Sequence, residues 1–280
     1  MLTTVVLLIA LFIVAVSVGA GRQRRALTVQ IDRLIRSGAG QNVERRLSVP
    51  LDNVPPPVAR YLRFALQVPQ QLQEVRIEQV GTLRTDVASH RWMPFEAEHI
   101  VVPPATGFVW NARVSVAPLL HVRVRDALID GKGSGQVALL SAFSVSSDAA
   151  TPEMDSGSLH RFLAEAVWYP TALLPGPNLT WTGIDASRAE ATLTHHGVTV
   201  SLEFRFASTG EVTGIYTPAR WGTFGRRYRQ VAWEGHFRNY RERDGLFVPT
   251  EGDVGWYVDG QWRPVWKGTI TSFRINIGAS

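Results

Sequence analysis

The N-terminal quarter of the chain alternates apolar runs with polar stretches, and these runs predict three helices. Residues 2–20 carry no charge and are almost entirely apolar, and about 20 such residues can cross a bilayer as a helix. Apolar side chains recur at helical spacing over 26–37 and again over 58–66, where three prolines open the segment. Residues 37–57 contain Gly, Asn and Pro, a composition typical of a linker.

From Glu74 onward the hydrophobic period changes to two, which predicts β-strands. The most regular pattern lies in 198–206, where Val, Leu and Phe occupy every second position. Asp259-Gly260 between two apolar segments predicts a two-residue hairpin. The other predicted strands are 74–84, 95–102, 107–116, 119–130, 136–146, 189–194, 211–216, 227–240, 245–251, 253–258 and 264–276. Ten or more short strands joined by tight turns tend to curl, so we predict a mainly β (α+β) fold, a curled antiparallel sheet or half-barrel.

One helical pattern interrupts the strands between residues 159 and 175. Pro170 should end or kink this helix because proline lacks an N–H, and Ser158 or Asp155 can cap its start. A single apolar helix in a β-rich chain must bury its stripe, so we predict that it packs on the concave face of the sheet. The stripe falls at i, i+3, i+4, i+7 and i+8, on Leu159, Phe162, Leu163, Ala166 and Val167.

Length and composition indicate one folded domain behind an apolar segment. The chain has 280 residues, of which 45% are hydrophobic, and its nine Trp supply ample core material. We predict a transmembrane anchor over 1–21, a juxtamembrane amphipathic segment and linker over 22–51, and a single β-rich domain over 52–280. The absence of Cys excludes disulfides, thiolate catalysis and Cys-based zinc sites.

Two interpretations of the apolar segment 2–20 remain open. A cleavable signal peptide would end near Val18-Gly19-Ala20, but no Lys or Arg precedes the apolar run, which favours an uncleaved single-pass anchor. Arginines follow the segment, so the positive-inside rule favours the cytoplasmic over the extracytoplasmic face of the membrane. The Arg-rich helix at 26–37 also suits anionic lipid headgroups.

The remaining charge makes nucleic acid an unlikely partner. The formal net charge of +5 includes Arg22, Arg24 and Arg25, which leaves +2 for the other residues. Arg220–Arg243 interleaves arginines with aromatic residues, a composition that suits single-stranded nucleic acid or an anionic headgroup. A pair of strands explains the same pattern if the arginines lie on the solvent-exposed face and the aromatic residues on the buried face. This explanation is favoured.

Two motifs that invite a ligand have simpler structural explanations. Gly131–Gly135 is followed by a strand pattern, whereas a phosphate loop needs a helix N-terminus there, so we predict a hairpin loop. His195 and His196 are adjacent in a predicted strand end, where consecutive side chains point to opposite faces and chelate one metal poorly. The sequence therefore predicts neither a metal site nor a cofactor.

Polar side chains embedded among apolar ones form the candidate site. If their strand faces point into the concavity, carboxylates meet arginines in a partly dry pocket lined by Trp. Such a pocket suits a ligand or a carboxyl group with a raised pKa. The alternative is a solvated face, or ion pairs that are only structural. The candidate residues are Glu96, Glu98, Trp110, Arg113, His121, Arg123, Glu165 and Trp168.

Several long motifs carry a resemblance to a known family. They include PPPVARYLRFAL at 55–66, RWMPFEAEHIVVPPATGFVWNARV at 91–114 and LHRFLAEAVWYPTALLP at 159–175. Over roughly 52–276 the chain resembles a bacterial family of domains of unknown function. The resemblance implies an N-terminal hydrophobic segment joined to one β-rich domain, and it implies no activity and no site residues.

Three hypotheses about function follow. The first is a membrane-anchored domain that holds an apolar or amphiphilic, lipid-like ligand in its concave sheet. The second is an enzyme in which Glu165 acts as acid or base while Arg113 and Glu96 position the substrate. The third is a non-catalytic interaction module that uses the 220–243 face at a membrane surface. The sequence does not decide whether the protein is an enzyme.

Overall fold

The computed structural model describes residues 1–39, 51–68, 71–225 and 227–277, and these residues form three α-helices and thirteen strands. The helices are α1 (Leu2–Gly38), α2 (Pro56–Ala65) and α3 (Pro152–Glu165). The strands are β1 (Leu72–Leu83), β2 (Met93–Val102), β3 (Gly107–Ala117), β4 (Leu120–Ile129), β5 (Lys132–Leu139), β6 (Phe143–Ala149), β7 (Leu179–Gly183), β8 (Arg188–His195), β9 (Val198–Phe206), β10 (Val212–Phe224), β11 (Arg227–Arg243), β12 (Leu246–Val258) and β13 (Gln261–Ile277).

All thirteen strands belong to one antiparallel sheet made of two meanders. Its strand order is β6-β5-β4-β3-β2-β1-β13-β12-β11-β10-β9-β8-β7. The chain moves outward from β1 to one edge, crosses the concave face through α3, and returns from the other edge until β13 pairs with β1. The predicted fold class is therefore confirmed: a curled antiparallel half-barrel of more than ten strands with one central helix.

Helix α3 lies in the concavity, as its apolar stripe predicts, and its start differs from the prediction. The side chain of Thr151 caps the helix by accepting the backbone N–H of Met154 at 3.2 Å. The prediction that Ser158 or Asp155 caps it is wrong, because both lie inside the helix. Asp155 instead accepts the backbone N–H of Gly133 at 2.7 Å, which ties the helix to β5. The helix ends at Glu165, and two short 3₁₀ turns follow.

Alternate residues of both meanders meet α2 and α3 in one hydrophobic core. Leu159, Phe162 and Leu163 of the predicted stripe are at most 2% exposed. Fully burying such a side chain stabilises the fold by about 1.5–3 kcal/mol. Phe204 on β9 and Phe108 on β3 are fully buried in the same core, although their strands belong to different meanders. The helix therefore joins the two halves of the sheet.

The outer face of the sheet carries a second apolar cluster, which α1 covers. Leu34 of α1 is fully buried against Ile100, Val109 and Ala127, residues of three successive strands. Arg125 on the same face donates to the carbonyl of Gln23 at 3.0 Å and to the side chain of Gln30 at 3.1 Å. The segment predicted as a separate amphipathic helix at 26–37 is thus the second half of α1, docked on the domain.

The first half of α1 is apolar and exposed. It is the one helix among the described residues that is long and apolar enough to cross a membrane, by length and composition alone. Residues 2–15 are all exposed. At Gly19 the helix touches the β5–β6 turn, and a Cβ there would lie 2.9 Å from the Cβ of Ala142. Most of the predicted linker, residues 40–50, lies outside the described residues.

The predicted strands agree with the structure except in a few segments, one of which is 211–216, the first part of the longer strand β10. The segment 136–146 is divided between β5 and β6 by a tight turn, and the predicted strands 245–251 and 253–258 are one strand, β12. Strand β7 is absent from the prediction. The hairpin at Asp259-Gly260 is confirmed, and both residues have positive φ angles of 52° and 72°, which a type I′ turn requires.

Candidate functional site

The concave face beside α3 contains a cavity of about 250 Å³. It adjoins a cleft of about 210 Å³ that shares Arg161 and Arg220, and a wider cleft of about 680 Å³ that shares Arg84. The wider cleft alone has the volume of a site that binds a small molecule. We call the 250 Å³ cavity the tryptophan cavity, because five rings line it: Trp110, Trp168, Trp233, Trp256 and Trp266.

The tryptophan rings are held by strand register and by hydrogen bonds of their indole N–H groups. Trp168 donates to the carbonyl of Pro249 at 3.0 Å, and Trp110 donates to the side chain of Gln79 at 3.0 Å. Trp168 and Trp266 lie 6.4 Å apart between ring centroids. Because the polar edges of Trp110 and Trp168 are satisfied inside the protein, these two rings offer apolar surface to a ligand.

Arg161 is the centre of an ion-pair network at the floor of the cavity. Its guanidinium donates to Glu165 Oε1 at 2.8 Å, one helical turn away, and to Asp126 Oδ2 at 2.8 Å on β4. It also lies over the rings of Phe108 and Trp110, at 5.1 Å and 4.9 Å from their centroids. Burial opposes its charge, but Glu165 and Asp126 outweigh burial and raise the pKa of Arg161.

Glu165 combines burial with an unsatisfied oxygen. Its burial raises the pKa of the carboxyl group, although the neighbouring Arg161 works in the opposite direction. Its second oxygen, Oε2, has no hydrogen bond and lies 3.4 Å from Nε2 of His99. His99 is fully buried, and burial followed by the charge of Arg161 holds its pKa well below the ordinary value. His99 is therefore neutral, and the pair is not a true salt bridge.

Arg220 lines the same cavity, with backbone and ring contacts in place of an ion pair. Its Nε and Nη2 atoms donate to the carbonyl of Gly157 on α3, at 3.3 Å and 2.9 Å. Its guanidinium lies 4.5 Å from the ring centroid of Trp233 and 5.1 Å from that of Trp256. Among the described residues no carboxylate forms a salt bridge with it. Burial, followed by the charge of Arg161, lowers the pKa of Arg220 to about 10, so it stays cationic at neutral pH.

The structure divides the predicted site residues between two faces of the sheet. Trp110, Glu165 and Trp168 line the tryptophan cavity. The other five residues lie on the outer face, so the eight do not form one pocket. On β2 the inward positions belong to Phe95, Ala97 and His99, and the intervening glutamates must therefore point outward. The outward residues are Glu96, Glu98, Arg113, His121 and Arg123.

The outer-face residues form a polar cluster near the β3–β4 and β5–β6 turns. Arg113 Nη2 lies 3.4 Å from His121 Nδ1, and His121 Nε2 lies 3.0 Å from the Ser141 hydroxyl. Arg123 donates to the same hydroxyl at 3.3 Å. Burial and the two arginines lower the pKa of His121, so the cluster draws its positive charge from arginine. Arg113 and Arg123 also border a shallow depression of about 550 Å³ together with Glu96 and Glu98.

Sequence reasoning missed Arg161, Asp126 and Arg220. Arg161 stands four residues before Glu165, a spacing that predicts an ion pair on one helix face. Arg220 belongs to the segment whose arginines are predicted to face solvent, and its exposed members, such as Arg229 and Arg241, agree with that prediction. A break in strand register between Thr217 and Arg220 changes the alternation. Arg226 lies outside the described residues.

Comparison with known proteins places the fold in a family without a known activity. The model of a family of unknown function, DUF6920, matches residues 52–274. No curated protein matches the chain. One matching solved structure is the LolA superfamily protein NE2245 from Nitrosomonas europaea, with 11% sequence identity and a TM-score of 0.39. That alignment covers 79% of this chain and 92% of the other.

Proposed function

The chain belongs to the DUF6920 family, whose description names no activity, and from the geometry of its concave face we propose that it binds an anionic amphiphile. The apolar part of this ligand lies against the tryptophan rings, and its acidic head contacts Arg220. Helix α1 anchors the domain to a membrane. The observation that carries this proposal is the single cavity that joins five tryptophans to an arginine without a carboxylate partner.

The tryptophans support the apolar half of the proposal. Proteins enrich binding sites in large aromatic side chains because these supply much contact area at low entropic cost. Each methylene group that moves from water onto such a surface contributes about 0.8 kcal/mol. An acyl segment in the tryptophan cavity therefore gains affinity in proportion to its length, without any specific polar contact.

Arg220 supports the proposal that the ligand has an acidic head. Its guanidinium is already oriented by Gly157 and by two rings, so little side-chain entropy remains to be lost when a ligand binds. Its Nη1 group has no protein partner among the described residues. Charge-assisted hydrogen bonds from arginine to carboxylate or phosphate are the strong class of such bonds. Arg161, by contrast, is already neutralised by Glu165 and Asp126.

The exposed apolar half of α1 supports the membrane anchor. Its length and hydropathy suit one crossing of the hydrocarbon layer. Measurement of the N-terminal mass of the protein recovered from membranes separates an uncleaved anchor from a cleaved signal peptide. The arginines that follow the segment favour a cytoplasmic domain, and protease access to sealed vesicles tests that orientation.

Quenching of tryptophan fluorescence by a brominated fatty acid tests the apolar part of the site. The full chain is studied in a non-ionic detergent, where bromine quenches only the rings that it approaches. Val124→Phe fills part of the cavity from β4, and Val145→Phe makes the same change at an exposed position of β6. Val124→Phe should bind about tenfold more weakly, the equivalent of losing about two methylene contacts. Equal quenching in the wild type and both variants refutes a ligand in the cavity.

The acidic head is tested with Arg220→Gln and with a brominated fatty alcohol of the same chain length. Loss of a charge-assisted hydrogen bond of about 1.5–3 kcal/mol should weaken binding of the acid by about 10- to 150-fold. Binding of the alcohol should change little. Arg241→Gln is the control, because Arg241 is exposed and outside the cavity. If Arg220→Gln binds acid and alcohol as the wild type does, the assigned head contact is wrong.

Acid–base catalysis at Glu165 is a second candidate function. The raised pKa of its carboxyl group and the unbonded Oε2 atom favour it, since both occur in the wall of the cavity. Extraction and mass spectrometry of the molecule that co-purifies with the wild type and with Glu165→Gln distinguish the two functions. A binding protein yields the same molecule from both, whereas an enzyme yields unconverted substrate only from the variant.

A further inference from the structure

We propose that the turns at one end of the half-barrel lie in the headgroup region of the bilayer that α1 enters. We call this end the anchor rim and define it by the β3–β4 turn at Leu119 and the β5–β6 turn at Leu140–Ala142. The proposal goes beyond ligand binding. It rests on the membrane anchor of the proposed function and is independent of the tryptophan cavity.

The path of α1 places the anchor rim beside the membrane. Gly19 contacts Ala142 in the β5–β6 turn, whereas Gly38 contacts Val102 at the opposite end of the sheet. With a rise of 1.5 Å per residue, these contacts are about 28 Å apart along the helix. The residues before Gly19 extend past the anchor rim for about 25 Å, close to the thickness of the hydrocarbon layer. The apolar helix thus leaves the sheet at the level of this rim.

The turns of the anchor rim present apolar side chains to solvent. Leu119 is 100% exposed, and Phe143 at the start of β6 is 40% exposed. Leu119 and Leu140 also have positive φ angles of 62° and 52°, in turn positions that normally select Gly or Asn. A leucine is thus unfavourable at Leu119 in water, both for its exposure and for its backbone conformation. Insertion into the bilayer removes the cost of exposure.

Arginines stand directly behind these apolar turns on the outer face. Arg113 and Arg123 flank the β3–β4 turn, and Arg24 of α1 is close enough to Arg123 to lower its pKa. None of the three forms a salt bridge with a carboxylate among the described residues. Apolar tips followed by arginines that form no salt bridge match the order of acyl chains and anionic headgroups across a bilayer surface.

A wide cleft that borders the tryptophan cavity lies next to the anchor rim. The β1–β2 turn lies beside this rim, because its Arg91 donates to the carbonyl of Val116 near the end of β3, and the β10–β11 and β12–β13 turns border the same cleft as the β1–β2 turn. The wide cleft is lined by Arg84, Phe224 and Asp259 from those three turns or their borders. A membrane-bound anchor rim therefore brings this cleft, which shares Arg84 with the tryptophan cavity, close to the bilayer.

Fluorophores at single cysteines test the proposal in the full chain, which contains no natural Cys. Leu119→Cys and Phe143→Cys place the label on the anchor rim, and Ser208→Cys places it in the exposed β9–β10 turn at the opposite end. Leu8→Cys reports on the anchor itself. Each labelled protein is reconstituted into phosphatidylcholine vesicles with and without phosphatidylglycerol. Emission wavelength and quenching by iodide in the water are recorded.

The expected result is blue-shifted, iodide-protected emission at positions 8, 119 and 143, and water-like emission at 208. Protection at 119 should be greater with phosphatidylglycerol and should fall when salt is added. Water-like emission at 119 and 143, with position 8 still protected, overturns the proposal and leaves the anchor intact. Water-like emission at position 8 overturns both. Asparagine suits the turn at position 119, so Leu119→Asn should melt no lower than the wild type. In the same variant, a label at position 143 should lose its protection from iodide.

Discussion

Replacement of Arg161 by methionine tests whether the ion-pair network organises the floor of the cavity. Methionine fills a similar volume and keeps contact with Phe108 and Trp110, but it removes both hydrogen-bonded ion pairs. Glu165 then remains buried without its cation, beside His99, whose own burial keeps it neutral. Asp126 is less affected, because its side chain is 40% exposed and water replaces the lost partner.

The expected loss of stability follows from the burial of the Glu165 carboxylate, which has lost its cationic partner. Removal of one partner from a buried ion pair typically costs about 3–5 kcal/mol. In a domain of this size each kcal/mol lowers the melting midpoint by about 2–4 °C, so the midpoint should fall by about 6–20 °C. The loss should increase with pH, because the uncompensated carboxyl group of Glu165 is tolerated only while it is protonated.

Thermal unfolding of the full chain in detergent measures this effect through a double-mutant cycle. Arg161→Met/Glu165→Gln should be more stable than Arg161→Met alone, because glutamine carries no buried charge. Arg188→Met is the matched control, since the Arg188–Asp185 pair is exposed and its loss should not move the midpoint measurably. If Arg161→Met and Arg188→Met melt together, or if the double variant recovers nothing, the reasoning about the network is refuted.

Three other changes have defined outcomes. Burial raises the pKa of Glu165 above its ordinary value of 4.5, so its contribution favours folding most at or below pH 4.5 and weakens as pH rises through the folded-state pKa. Glu165→Gln should therefore flatten the stability–pH curve between pH 4.5 and the folded-state pKa of Glu165, and an unchanged slope in that range contradicts the shift. Leu34→Ala should destabilise the docked half of α1 by about 2–5 kcal/mol, whereas Ile35→Ala, at a 38% exposed position, should cost less; equal midpoints would argue against docking. Gly81→Ala should prevent normal pairing of β1 with β13, because its Cβ would collide with the backbone of β13, whereas Gly183→Ala has room; circular dichroism of the two variants compares them.

The periodicity of the sequence predicts most of the fold because burial is one-sided in these strands. In 198–206 every second residue faces the core, and strand β9 has the predicted bounds. The pattern fails where both faces of a strand are covered. Ile100 and Val102 alternate with inward residues, yet they too are buried because α1 lies over them. Strand β7 was missed because it has only five residues and only Leu179 is fully buried.

The sequence predicts only part of the candidate site. A hydrophobic period of two shows which residues share a face of the sheet, but it does not show which face is concave. Glu96 and Glu98 share a face, as expected, but Phe95 and Ala97 occupy the concave side. Glu165 and Trp168 were found because a lone helix must lie in the concavity. The sequence does not predict Arg220 in the cavity, because the break in register before it changes which face the alternate residues occupy, and no residue pattern marks that break. A ligand contact of Arg220 stays a prediction, as does a ligand contact of the predicted site residues on the outer face.

The pairing of β1 with β13 has a consequence for biosynthesis. Leu72 pairs with Ile277, so the middle of the sheet closes only after the last strand has left the ribosome. Until then the first meander exposes the edge of β1, and a free edge is a template for pairing with other chains. Contacts this distant in sequence also form slowly. With α1 inserted in the membrane as proposed above, a nascent chain would wait for its closing strand at the bilayer surface, apart from other unfinished chains in solution.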